Sequence, residues 1–142
     1  MIKLCGTSNI NVNNFDEIWI VCRSISKLAS KLKDNPKTIH VPELSPEPEL
    51  FYAYVKWKNA GNWSEELFKT NYVPEFIREI QNNAKAIERL DELCDKSKTK
   101  NIALVCFCAN ERMCHRSILA GILSNKGANI VCNSYYKQYS LK

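Results

Sequence analysis

Three cysteines, a histidine and two arginines fall within eleven residues: Cys106, Cys108, Arg112, Cys114, His115 and Arg116. Ordinary loop composition does not gather such side chains so densely. Three chemistries use them. Thiolates and imidazole bind metal, a thiolate attacks electrophiles, and guanidinium groups hold phosphate or carboxylate in bidentate fashion.

Spacing separates these options. Cys106, Cys108, Cys114 and His115 have the types of a tetrahedral set. Structural zinc usually pairs its ligands on two knuckles, however, whereas Cys106 and Cys108 are alternate positions of a strand that share a face. Cys106 and Arg112 are spaced Cys-x5-Arg after a strand, as in cysteine-dependent phosphatases. Here Val105 precedes the cysteine, Met113 follows the arginine, and the loop holds no glycine. Neither pattern is met in full, and no residue is assigned as a metal ligand. The anion option is stronger. The chain has fifteen Lys and only five Arg, yet Arg23, Arg112 and Arg116 all follow apolar runs read as strands. A helix opening at Ser117 adds free N–H groups suited to an anion. His115, beside that helix start, is read as either a cap or a neutral hydrogen-bonding group. His40, inside a β-branched run, is read as structural.

The elements that must position these residues can be read along the chain. Ile2–Cys5, Glu17–Cys22, Thr38–Val41, Ile102–Phe107 and Ile130–Cys132 read as strands, the second as one buried on both faces. Helices are expected over Ser26–Lys33, Glu49–Lys58, a region capped by Ser64 and divided at Pro74, Ala84–Lys96 and Ser117–Asn125. Pro42–Pro48 is a rigid connector, and Gly127 is a left-handed cap. Strands alternating with helices indicate an α/β domain with a mainly parallel sheet. Such a sheet brings Thr7, Ser8, Arg23 and the Cys/His/Arg loop to one edge, where ligands bind.

Composition excludes several classes. At 45% apolar and 25% charged the chain is an ordinary globular sequence of one-domain length. Its net charge of +5 comes from scattered lysines rather than a basic run. No apolar run approaches the ~20 residues that span a bilayer, and the N-terminus lacks a signal-peptide layout. A cytoplasmic protein without membrane contact is expected. There, seven cysteines stay reduced, and Cys5, Cys22, Cys94 and Cys132 read as small buried residues.

The same loop resembles domain-of-unknown-function family 488. Its hallmark is an apolar strand, a Cys, seven further residues, then Cys-His-Arg opening a helix. Those positions are Cys106 and Cys114-His115-Arg116, followed by Ser117-Ile118-Leu119-Ala120. Cys5-Gly6-Thr7-Ser8, Ile20-Val21-Cys22-Arg23, Leu44-Ser45-Pro46, Gly61, Trp63–Phe68 and Tyr72 are similar to further features of its shorter subgroup. The likeness runs over about residues 2–130. It implies a Rossmann-like domain of a kind common in bacteria, archaea and phages, with a role largely unassigned, so a phage origin is one expectation. By position it implies a shared polar set of Thr7, Ser8, Arg23, Cys106, Cys114, His115 and Arg116. Cys108 stands where an acidic residue is usual, and Arg112 matches no family position.

Together these readings set the expectation. Residues 1–142 form one Rossmann-like α/β domain, a mainly parallel sheet flanked by helices. A small anionic ligand, phosphorylated and nucleotide-like, binds at the C-terminal strand edge through Thr7, Ser8, Arg23, Arg112, Arg116 and Ser117. If a reaction follows, Cys106 or Cys114 supplies the thiol and His115 carries or orients the proton. The sequence names no cofactor. A nucleic-acid-binding module, a zinc-stabilised domain and a cysteine-dependent phosphatase-like enzyme remain as alternatives. Tyr52, Tyr54, Trp57 and Trp63 suit core packing better than a base-stacking wall.

Overall fold

A computed structural model describes residues 1–142. Four strands form one sheet in the order β1-β4-β2-β3, all parallel: β1 (Ile2–Gly6), β2 (Glu17–Ile20), β3 (Thr38–His40) and β4 (Ile102–Cys106). Every residue of β2 and β4 is buried, as expected of central strands covered on both faces. Register pairs Gly6 with Cys106 and Ile20 with Val105, so these strand ends lie at one edge. Ile130, expected within a strand, makes a single parallel bridge to Ile2.

Helices α1 (Ser30–Lys33), α2 (Pro48–Asn59), α3 (Glu65–Leu67), α4 (Val73–Gln81), α5 (Ala84–Lys96) and α6 (His115–Asn125) cover the sheet. A continuous cluster of 35 buried apolar residues, to which every one of these helices except α3 contributes, joins them to the strands. At roughly 25 cal/mol per Å² of apolar area removed from water, that burial is the main force holding the architecture. No helix is long and apolar enough to cross a membrane.

Three local outcomes differ from expectation. The helix expected over Ser26–Lys33 is confined to α1, one turn long. Pro74 does not divide the region after Ser64. Phe68–Tyr72 winds as a wider π turn in which the Val73 N–H donates to the Phe68 carbonyl, and α4 continues from it. Pro74 then falls in the first turn of α4, where its missing N–H costs little. Finally, α6 opens at His115, two residues before Ser117, with Cys114 as its N-cap residue.

The tail also packs. Ser134–Gln138 is a short 3-10 turn against α6, with Tyr136 and Tyr139 buried. Close approach there requires Gly121, because a Cβ at that position would lie 1.9 Å from the Tyr136 carbonyl oxygen.

Candidate functional site

Strand β4 stops at Cys106 and the chain turns through Phe107. Cys106 and Cys108 therefore do not continue as regular alternate strand positions, and their sulfurs lie 3.8 Å apart. A 3-10 turn over Glu111–Met113, capped by the Asn110 side chain, then brings the chain back. It delivers Cys114 and His115 to the start of α6, with Cys114 Sγ 3.7 Å from His115 Nδ1. The three sulfurs and one imidazole nitrogen of Cys106, Cys108, Cys114 and His115 all lie within 4.8 Å of one another. Cys106, Cys114 and His115 are buried, and Cys108 is partly exposed.

The imidazole is held from behind. His115 Nε2 lies 2.6 Å from the Val21 carbonyl oxygen, which can only accept, so Nε2 carries the proton and donates. In the neutral ring Nδ1 then has a lone pair facing the sulfurs. The Phe76 ring packs edge-on against the imidazole, with centroids 5.6 Å apart. Cys22, read from the sequence as a plain buried residue, is a further member of the group, its thiol adjoining that of Cys106. His40 Nε2 meets the Cys22 carbonyl at 2.7 Å, the structural role expected of it.

Charge within the group is uneven. The neighbouring Cys108, Cys114 and Cys22 thiols, of which Cys108 stands within hydrogen-bonding distance, hold the Cys106 thiol below its ordinary range against the opposing effect of burial. The neighbouring Cys106 sulfur pushes Cys22 and Cys108 upward, and burial adds to the shift. Burial disfavours a charged His115, yet the neighbouring Cys106 and Cys114 sulfurs outweigh it and raise the imidazole pKa.

Arg116 sits beside this group and is almost wholly buried. Its Nη1 donates to the Cys5 carbonyl and its Nη2 to the Cys108 carbonyl at 2.7 Å. Those bonds tie the end of β1 to the Cys108 loop. Nε has no nitrogen or oxygen partner, and the guanidinium borders the Cys114 sulfur. The same arginine lines a cleft of about 420 Å³ at the end of β1, together with Gly6, Thr7, Ser8, Cys108 and Glu111. Glu111 is restrained there by the Tyr136 hydroxyl, which donates to its carboxylate at 2.6 Å.

The structure thus gathers Thr7, Ser8 and Arg116 at the cleft and Cys106, Cys114 and His115 in the cluster behind, with Cys108 touching both. Three other expected ligand groups lie elsewhere. Arg23 donates through Nε and Nη2 to the Pro46 carbonyl, at 3.0 and 2.7 Å, and braces the proline-rich connector. Arg112 lies 4.4 Å over the Tyr135 ring and pairs with Glu65 at 3.3 Å, so it does not cradle an anion at Cys106. Ser117 is fully buried, and its hydroxyl donates to the Cys114 carbonyl at 2.8 Å. Tyr54, Trp57 and Trp63 pack on one another, with Tyr54 and Trp63 centroids 4.8 Å apart, while Tyr52 is exposed.

Comparison with known proteins adds one match. Residues 6–127 fit a family model described as the active DUF488-N3 subclade. No curated protein and no solved structure matches the chain. The matched span contains the cluster and most of the cleft, including Gly6, Cys22, Cys106, Cys108, Cys114, His115 and Arg116. On that span, the chain belongs to the DUF488 family.

Proposed function

We propose that this protein binds a small phosphorylated, nucleotide-like ligand in the cleft between the end of β1 and the Cys108 loop. One observation carries the reading: a buried arginine, Arg116, lines that cleft together with the hydroxyl-bearing turn Thr7-Ser8. A guanidinium and two hydroxyls are the donor types that phosphate oxygens accept from, and the burial of Arg116 strengthens the bond that it makes. The position, at the C-terminal edge of a parallel sheet, is where such folds take ligands.

Thiol and imidazole chemistry on the bound ligand belongs to the same proposal. Cys5 and Cys108 are the cysteines that line the cleft, and Cys106, Cys114 and His115 stand in the cluster behind Cys108. The matched subclade is described as active, which supports chemistry in this family and specifies neither its reaction nor its site.

A thermal-shift screen of nucleotides and sugar phosphates tests the binding step. Ligand at a hundred times its dissociation constant adds about 2.7 kcal/mol, a rise of several degrees in Tm. Removing both hydroxyls (Thr7→Ala with Ser8→Ala) should lower the affinity about tenfold or more. A screen in which no anion stabilises the chain, or an unchanged affinity in the double variant, overturns the reading.

A further inference from the structure

The cluster carries an inference that does not depend on the cleft. We propose that Cys106 Sγ, Cys108 Sγ, Cys114 Sγ and His115 Nδ1 form a tetrahedral binding site for a thiophilic divalent cation, zinc foremost. The dimensions support this. With ~2.3 Å Zn–S and ~2.05 Å Zn–N bonds, a tetrahedral site has S···S edges of about 3.8 Å and S···N edges of about 3.6 Å. The Cys106–Cys108 and Cys114–His115 pairs stand at 3.8 and 3.7 Å, and all four donor atoms lie within 4.8 Å of each other.

The imidazole is already oriented for the role. A metal-bound histidine ordinarily donates its other ring N–H to a carbonyl or carboxylate, which fixes the tautomer. Here Nε2 donates to Val21, and Nδ1 is turned to the sulfurs. Three thiolates and a divalent cation leave one net negative charge, and the Arg116 guanidinium beside Cys114 offsets it. Packing alone accounts poorly for the arrangement. Thiols are weak donors and weak acceptors, so gathering three around one imidazole nitrogen yields only weak hydrogen bonds.

The site would clip three segments together: the end of β4, the following loop and the first turn of α6. Its four protein donors close the coordination shell, which is the pattern of ions that hold structure. Cys108 is the ligand nearest solvent, and so the one through which the ion enters and leaves.

The test uses the whole chain, expressed with zinc present and kept reduced. Elemental analysis should find one zinc per chain. Replacement by cobalt should give the visible ligand-field bands of a tetrahedral site and sulfur-to-cobalt charge transfer in the near ultraviolet. Cys108→Ser should weaken zinc binding by at least about tenfold, as second-shell losses alone can, while Cys132→Ser outside the cluster should not. Less than about a tenth of an equivalent of zinc together with no cobalt bands would overturn the proposal. So would unchanged affinity in Cys108→Ser, or a Cys106–Cys108 disulfide found by mass spectrometry in protein kept reduced. The cobalt spectrum of the unaltered chain decides the matter even where a variant fails to fold. Metal content is read without nucleotide, so this proposal and the ligand-binding step fail independently, whereas a filled site takes its four donors out of thiol and imidazole chemistry on the ligand.

Discussion

His115 and Arg116 are neighbours in sequence that do different work. The histidine turns one nitrogen to a strand carbonyl and the other to the sulfurs, whereas the arginine spans two carbonyls and the cleft. Their residue types were legible in the sequence, as was the density of thiols around them. Cys22 was not, because an apolar run hides a reactive neighbour as well as an inert one. The available signal was its place at the end of a strand, one residue before Arg23. Glu17 shows the same blindness at the opposite sheet edge. Burial alone would push its carboxyl up, but bonds from Lys100, Trp19 and Lys96 outweigh burial and hold it at about 2. A depressed carboxylate stabilises the fold above its ordinary pKa of about 4.3, and that contribution disappears as pH falls toward 2. Lys96 and Lys100 are partly exposed, so screening limits the gain to about 1–2 kcal/mol at neutral pH. Urea unfolding of Glu17→Gln should therefore show a deficit of that size at pH 7 that shrinks steadily between pH 5 and 2. A deficit independent of pH would contradict this assignment.

At the scale of elements, periodicity located the central strands and the long helices because each buries one apolar pattern. It misplaced the start of α6 by two residues, since polar His115 and Arg116 do not look like helix interior. It also read Pro74 as a break, because sequence alone does not show that a π turn can precede it. The spacing objection to Cys106 and Cys108 weakened for a related reason: the strand ends between them. Gly121 offers a test of the packing between α6 and the C-terminal turn. Alanine normally stabilises a helix interior by about 1 kcal/mol relative to glycine. Here its Cβ would stand 1.9 Å from the Tyr136 carbonyl oxygen and 2.9 Å from Tyr139 Cβ. Gly121→Ala should reverse the usual sign and cost about 2 kcal/mol, seen as a Tm lower by several degrees. Stability equal to or above the parent would mean that the tail does not pack on α6.

Across the whole molecule, a parallel sheet brings the ends of β1, β2 and β4 together, and that convergence was legible from the alternation of elements. Which side chains then face one another was not. Arg23, Arg112 and Arg116 share an edge in sequence logic, yet only Arg116 reaches the cleft, because the connector and the tail recruit the other two. The anionic-ligand reading therefore narrows from three arginines to one, supported by Thr7 and Ser8. Chemical-shift mapping by NMR tests that reading most directly. On titration with a stabilising nucleotide, the backbone amides of Gly6, Thr7, Ser8, Cys108 and Arg116 should shift together and saturate at one equivalent. Saturable shifts confined to any other surface, or none at all, would contradict it.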